Sequence, residues 1–101
     1  MVSNLINDNG NAARNQFVIN EKNGKTVFQS YSTRVAYTKD DKVVIHPDAL
    51  GPRDSYSPSS VTTRKHLYIF LRDYCGMSWI RRIDDLKAAV KSGYIKLSKK
   101  I

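Results

Sequence analysis

The spacing of apolar residues changes period near residue 61. Upstream it is short and alternating. Gln16-Phe17-Val18-Ile19-Asn20 is β-branched and aromatic, and Asn23-Gly24 after it is a type I′ hairpin signal. Thr26-Val27-Phe28-Gln29-Ser30-Tyr31 reads as the return strand, with Val27, Gln29 and Tyr31 on one face and Phe28 and Ser30 on the other. Arg34-Val35-Ala36-Tyr37-Thr38 is a third strand, Lys39-Asp40-Asp41-Lys42 a polar turn, and Val43-Val44-Ile45-His46 a fourth strand. Connections this short predict an antiparallel meander. Residues 47–60 interrupt it with Pro47, Gly51, Pro52, Pro58 and four serines, which predicts a loop.

Downstream the period becomes helical. Thr63, Leu67, Phe70, Leu71 and Tyr74 form one stripe, with Ser60 or Thr62 as N-cap and Gly76 as a left-handed terminator. Ser78 can cap a second helix striped by Ile80, Ile83, Leu86 and Val90 and closed by Gly93, and Tyr94 to Leu97 can add a short last strand. The expected fold class is α+β: a small antiparallel sheet (a four-strand meander plus a possible short C-terminal strand) against two helices, in the order β-β-β-β-α-α-β. Residues 1–14, rich in Asn, Asp and Ala, read as an N-terminal arm, and 15–101 as a single domain. The expected core is Phe17, Val27 or Phe28, Val35, Val44, Leu67, Phe70, Leu71, Ile83 and Leu86.

Charge adds what the pattern does not show. The chain carries 17 Lys/Arg against 9 Asp/Glu, a net +8. Residues 61–101 hold ten of those cations against three acids, a net +7. A basic half on a small domain points to a polyanionic partner. Arg64, Tyr68 and Arg72 recur every four residues beside Lys65, and Arg81-Arg82 stand beside Trp79. Cations around an aromatic ring suit a phosphate backbone with a base stacked on Tyr68; a solvated helix face is the plain alternative. The two helices around Gly76 invite comparison with a helix-turn-helix. Arg72, Arg82 and Asp85 fall where that motif needs small or apolar residues, so major-groove reading is disfavoured.

Catalytic chemistry finds little footing. His46, His66 and Cys75 lack ligand spacing, which predicts no metal, and no phosphate-cradling or nucleophile-elbow motif is present, which predicts no enzyme and no cofactor. Cys75 reads as a buried, unreactive thiol. One cysteine, no signal peptide and no apolar run of membrane-spanning length predict a cytoplasmic protein without membrane contact.

Gly10-Asn11-Ala12-Ala13-Arg14-Asn15-Gln16-Phe17, then Phe28-Gln29-Ser30-Tyr31, then Thr62-Thr63-Arg64-Lys65-His66-Leu67 with Phe70-Leu71, resemble a small domain family of unknown function carried by bacteriophages and plasmids. Where that family has an aromatic-Asp-Tyr-Ser stretch, this chain has Arg53-Asp54-Ser55-Tyr56-Ser57 and an added proline. The resemblance implies a phage or mobile-element setting in the host cytoplasm and draws attention to Arg14, Asn15 and Gln16, whose plain role is to tie the arm to the sheet. It implies no activity. Three roles follow: an accessory protein binding nucleic acid through Arg64, Lys65, Tyr68, Arg72, Arg81 and Arg82; an inhibitor docking on an acidic surface of a host enzyme or antiphage defence complex; or a structural part of the virion.

Overall fold

A computed structural model describes residues 1–52 and 60–101. Six strands form one sheet in sequence order: β1 (Val2–Ile6), β2 (Ala12–Asn20), β3 (Thr26–Ser30), β4 (Thr33–Lys39), β5 (Lys42–Ile45) and β6 (Lys96–Leu97). The first four pairings are antiparallel, and β6 runs parallel to β5. Between β5 and β6 the described residues form a 3-10 turn (Pro47–Leu50) and two helices, α1 (Val61–Cys75) and α2 (Ile83–Lys91). The class is α+β, as the change of period predicts, and Gln16 to Ile45 contains no helix. No helix of the described residues is long and apolar enough to cross a membrane.

The sheet is larger than expected, because the N-terminal segment read as an arm is part of it. Val2 pairs with Ile19 and Asn4 with Phe17, and Leu5 is buried in the core. The turns also differ. The Asn23-Gly24 connection is not a two-residue type I′ turn. Glu21 N–H donates to the Lys25 carbonyl at 2.8 Å, and of the residues between them only Gly24 is left-handed, with φ 86°. The two-residue turn with both central residues left-handed is Asp40-Asp41, at φ 52° and 64°, closing the Lys39–Lys42 pair. Asp tolerates that conformation because its short carboxylate bonds locally.

The core lies between the sheet and the helices. Phe28 and Phe70 stack at 5.6 Å, with Val18, Ala36, Ile45, Leu67 and Leu71 around them. A register shift in the β3–β4 pairing lets Val35 and Ala36 both face the helices. Val27 is also fully buried but stands outside that cluster, on the opposite face between Ile19 and Tyr37. There Lys25 lies 4.2 Å over the Tyr37 ring. Phe17 and Ile83, expected in the core, are half-buried.

Ser60 Oγ caps α1 by accepting from Thr63 N–H at 3.1 Å, and Gly76 ends it at φ 69°. The second helix begins later than Ser78 predicts. Asp85, at its third position, accepts from Arg81 and Arg82 N–H at 3.1 and 3.2 Å, so Arg82 is the N-cap. Ile80 is instead driven into the core from the connection between helices. That connection, residues 76–82, is longer than a helix-turn-helix allows. Half of the loop predicted at 47–60 (residues 53–59) lies outside the described residues, including the Arg53–Ser57 stretch; its start is the 3-10 turn.

Candidate functional site

The Arg64, Tyr68, Arg72 row does not form one exposed face. Each four-residue step on an α-helix advances about 40° past a full turn. The row therefore starts beside the apolar stripe and ends opposite it. Arg64 is 5% exposed, and its Nη2 donates to the Ala49 and Gly51 carbonyls at 2.9 and 2.6 Å. It is an interior strut that holds the 3-10 turn against α1. Tyr68 is half-buried against the core. Arg72 reaches the surface, but its Nη1 donates to Asp8 at 2.8 Å and its Nε to Asp73 at 2.8 Å. Those two carboxylates, Asp73 before Asp8, raise its pKa and neutralise its charge locally. Lys65 is exposed, about 15 Å along α1 from the Cys75 end. The expectation that Arg64 and Arg72 both face a polyanion is overturned for Arg64.

A different surface keeps its charge. Arg81 and Arg82 are exposed, and among the described residues no cation after Arg72 enters an ion pair. Cations of the N-terminal half are more often matched: Glu21 accepts both Lys25 and Arg34. Beside Arg81 and Arg82 stands an aromatic pair that sequence reasoning missed. Trp79 and Tyr94 meet edge to face with centroids 5.9 Å apart at 72°, and remain 49% and 64% exposed. Each is followed by a buried isoleucine, Ile80 or Ile95. Alternation about those two anchors turns both rings outward, which is the signal the sequence did carry.

The Arg14-Asn15-Gln16 run is divided by a backbone irregularity. Asn15 is left-handed at φ 61°, and its carbonyl accepts Tyr31 N–H at 2.7 Å. Arg14 is exposed, whereas Gln16 is fully buried opposite Ser30. Ser30 and Thr63 hydroxyls bond at 2.8 Å, tying β3 to α1. Among the described residues, neither amide atom of Gln16 has a hydrogen-bond partner. An unsatisfied buried amide is destabilising, so Gln16→Met is expected to raise stability by about 1–2 kcal/mol in urea unfolding. A drop would show that the amide bonds to water in solution.

Cys75 is half-buried at the end of α1. Burial pushes its thiol up to about 12, with a Thr38 hydrogen bond acting weakly in the other direction. The folded protein is expected to resist a thiol reagent at pH 8 and to react on unfolding. Its folded pKa is raised, so its contribution to stability is full below the unfolded thiol's pKa of 9.0 and falls as pH rises toward 12. His46 Nδ1 accepts Asp48 N–H at 3.1 Å, and His66 Nδ1 lies 2.7 Å from the Thr62 carbonyl. Among the described residues, no three His, Cys, Asp or Glu side chains come together as metal ligands.

Residues 1–85 match a family described as "Family of unknown function (DUF8033)". The chain belongs to the DUF8033 family. No curated protein and no solved structure matches it. The DUF8033 match takes in the first five strands, α1, Trp79, Arg81 and Arg82. Residues 86–101, beyond it, add Tyr94 and five lysines with no acid. The charged, aromatic surface therefore straddles the end of the DUF8033 match.

Proposed function

We propose that this chain is a non-enzymatic accessory protein of a phage or mobile element that binds the phosphate backbone of nucleic acid through its C-terminal basic surface. One observation carries the reading: the cations from Arg81 onward are exposed and unpaired among the described residues. The only acids there are Asp84 and Asp85, and Asp85 is engaged by the Arg81 and Arg82 backbone. Unopposed cations on a rigid domain release condensed counterions when they meet phosphate, and that release favours binding. The interface is centred on Arg81 and Arg82, with Lys65 further along α1. Arg64 and Tyr68 are left out as structural, and Arg72 as internally paired.

Anisotropy of a labelled oligonucleotide across a salt series tests this. Log affinity should fall linearly with log salt, with a slope of about −0.7 to −0.9 per phosphate contacted. Arg81→Glu with Arg82→Glu should lower that slope by about two contacts' worth without changing the fold, because both side chains are exposed. No binding at about 50 mM salt would overturn the reading and leave docking on an acidic host protein as its rival.

A further inference from the structure

We infer that the Trp79–Tyr94 pair is a stacking platform for an unpaired base, so that the strand held at the basic surface is single-stranded rather than duplex. This rests on the nucleic-acid reading above and specifies its ligand.

Large aromatic rings left in water are unfavourable, and this fold leaves two of them touching. Trp79 and Tyr94 come from separate segments, the α1–α2 connection and the chain after α2. The edge of one ring covers part of the other's face, at 5.9 Å between centroids and 72° between planes, and the rest of the pair stays in water. Neither ring hangs from a loose segment. Ile80 is 2% exposed, and its N–H donates to the Met77 carbonyl at 3.3 Å. Ile95 is 1% exposed, and Tyr94 and Ile95 N–H both reach the Ala89 carbonyl, at 2.9 and 3.3 Å. Gly93, at φ 84°, makes the reversal that brings Tyr94 back toward Trp79. The backbone under both rings is thus fixed before any ligand arrives, so little order is lost when a base settles on them.

The charges nearby fit the same ligand. Arg81 and Arg82 follow Trp79 within three residues, and Lys96 stands two residues beyond Tyr94, all exposed. An exposed aromatic ring with cations close by in the chain matches a nucleotide, whose base has a π face and whose phosphate is anionic. In a duplex the base faces are covered by their neighbours, and a surface ring can reach them only by wedging the stack apart. An unpaired strand offers them directly. Stacking of this kind tolerates any base, because every base has a π face.

Trp79 is the only tryptophan, so its emission reports on the platform alone. The probe is a ten-nucleotide oligothymidine, with a duplex of the same length as control, titrated at about 50 mM salt. The single strand should quench the emission and bind more tightly than the duplex. Trp79→Ala should weaken single-strand binding by about 5- to 150-fold, leaving duplex affinity and the salt slope unchanged. Tyr94→Ala should act in the same direction, and Trp79→Phe should retain most of the affinity. Equal binding of both probes with unmoved emission and an intact salt slope would overturn the platform and leave the charge reading standing. Absence of binding to either probe would overturn both.

Discussion

Phe70→Ala should lower the unfolding free energy by about 3–5 kcal/mol. Phe70 is fully buried and stacks on Phe28 at 5.6 Å and on Tyr74 at 5.3 Å, so it links the sheet to the far end of α1. Truncation removes the transfer energy of the ring and leaves a cavity between a β-sheet and a helix, neither of which can collapse into it. The aromatic contacts add to the loss. Guanidinium unfolding followed by far-UV circular dichroism would show it as a lower midpoint with unchanged slope. A loss below about 1 kcal/mol would mean that α1 does not lie on β3 as described.

Arg64→Ala should cost about 2–4 kcal/mol, more than removal of any exposed arginine in the chain. Its guanidinium is the donor for two carbonyls, Ala49 near the end of the 3-10 turn and Gly51 just after it, and the Ala49 contact is fully interior. Without it, those carbonyls lose their charged partner where water does not replace it. Arg64→Met keeps much of the stem and should show nearly the same loss, which separates the hydrogen bonds from the packing. Arg72→Ala, whose partners Asp8 and Asp73 are exposed, should cost far less than Arg64→Ala. Equal costs at the two positions would contradict the burial of Arg64.

Much of this fold is legible from spacing. The switch from a period of two to one of 3.6 places the sheet before residue 61 and the helices after it, and Ser60 and Gly76 mark both ends of α1 by their own chemistry. Five of the six strands are visible: β2 to β5 because each contributes several inward residues, and β6 because Tyr94 to Leu97 resumes an extended pattern after the Gly93 stop. β1 is not, because Leu5 is its one buried residue, and Val2 and Ile6 look out of place in an apolar pattern that faces outward. The start of α2 is hidden because no Ser, Thr, Asn or Asp stands at its cap; instead Asp85, at the third position, reaches back to the N–H groups of Arg81 and Arg82. At the site, the sign and location of the charge were readable, but its assignment to α1 was not. Arg64 sits only one small rotation from Leu71, and charge alone does not reveal that a guanidinium will be swallowed by a turn. The meeting of Trp79 with Tyr94 depends on where α2 lies, which local sequence does not specify. Burial of Gln16 likewise depends on a backbone irregularity at Asn15 that shifts the face of the residue after it.

The sequential order of the sheet has a consequence for assembly. Each strand from β2 to β5 pairs with the one made just before it, so the ladder can zip from hairpin to hairpin with short loops to close at every step. The sixth is different: Val44 meets Lys96, some fifty residues away, with both helices lying between them in the chain. The last contact made should therefore be the one that seats Ile95 and sets Tyr94 beside Trp79. Hydrogen exchange at β6 should accordingly be faster than at β2 and β3, with the aromatic pair assembled in the final step of folding.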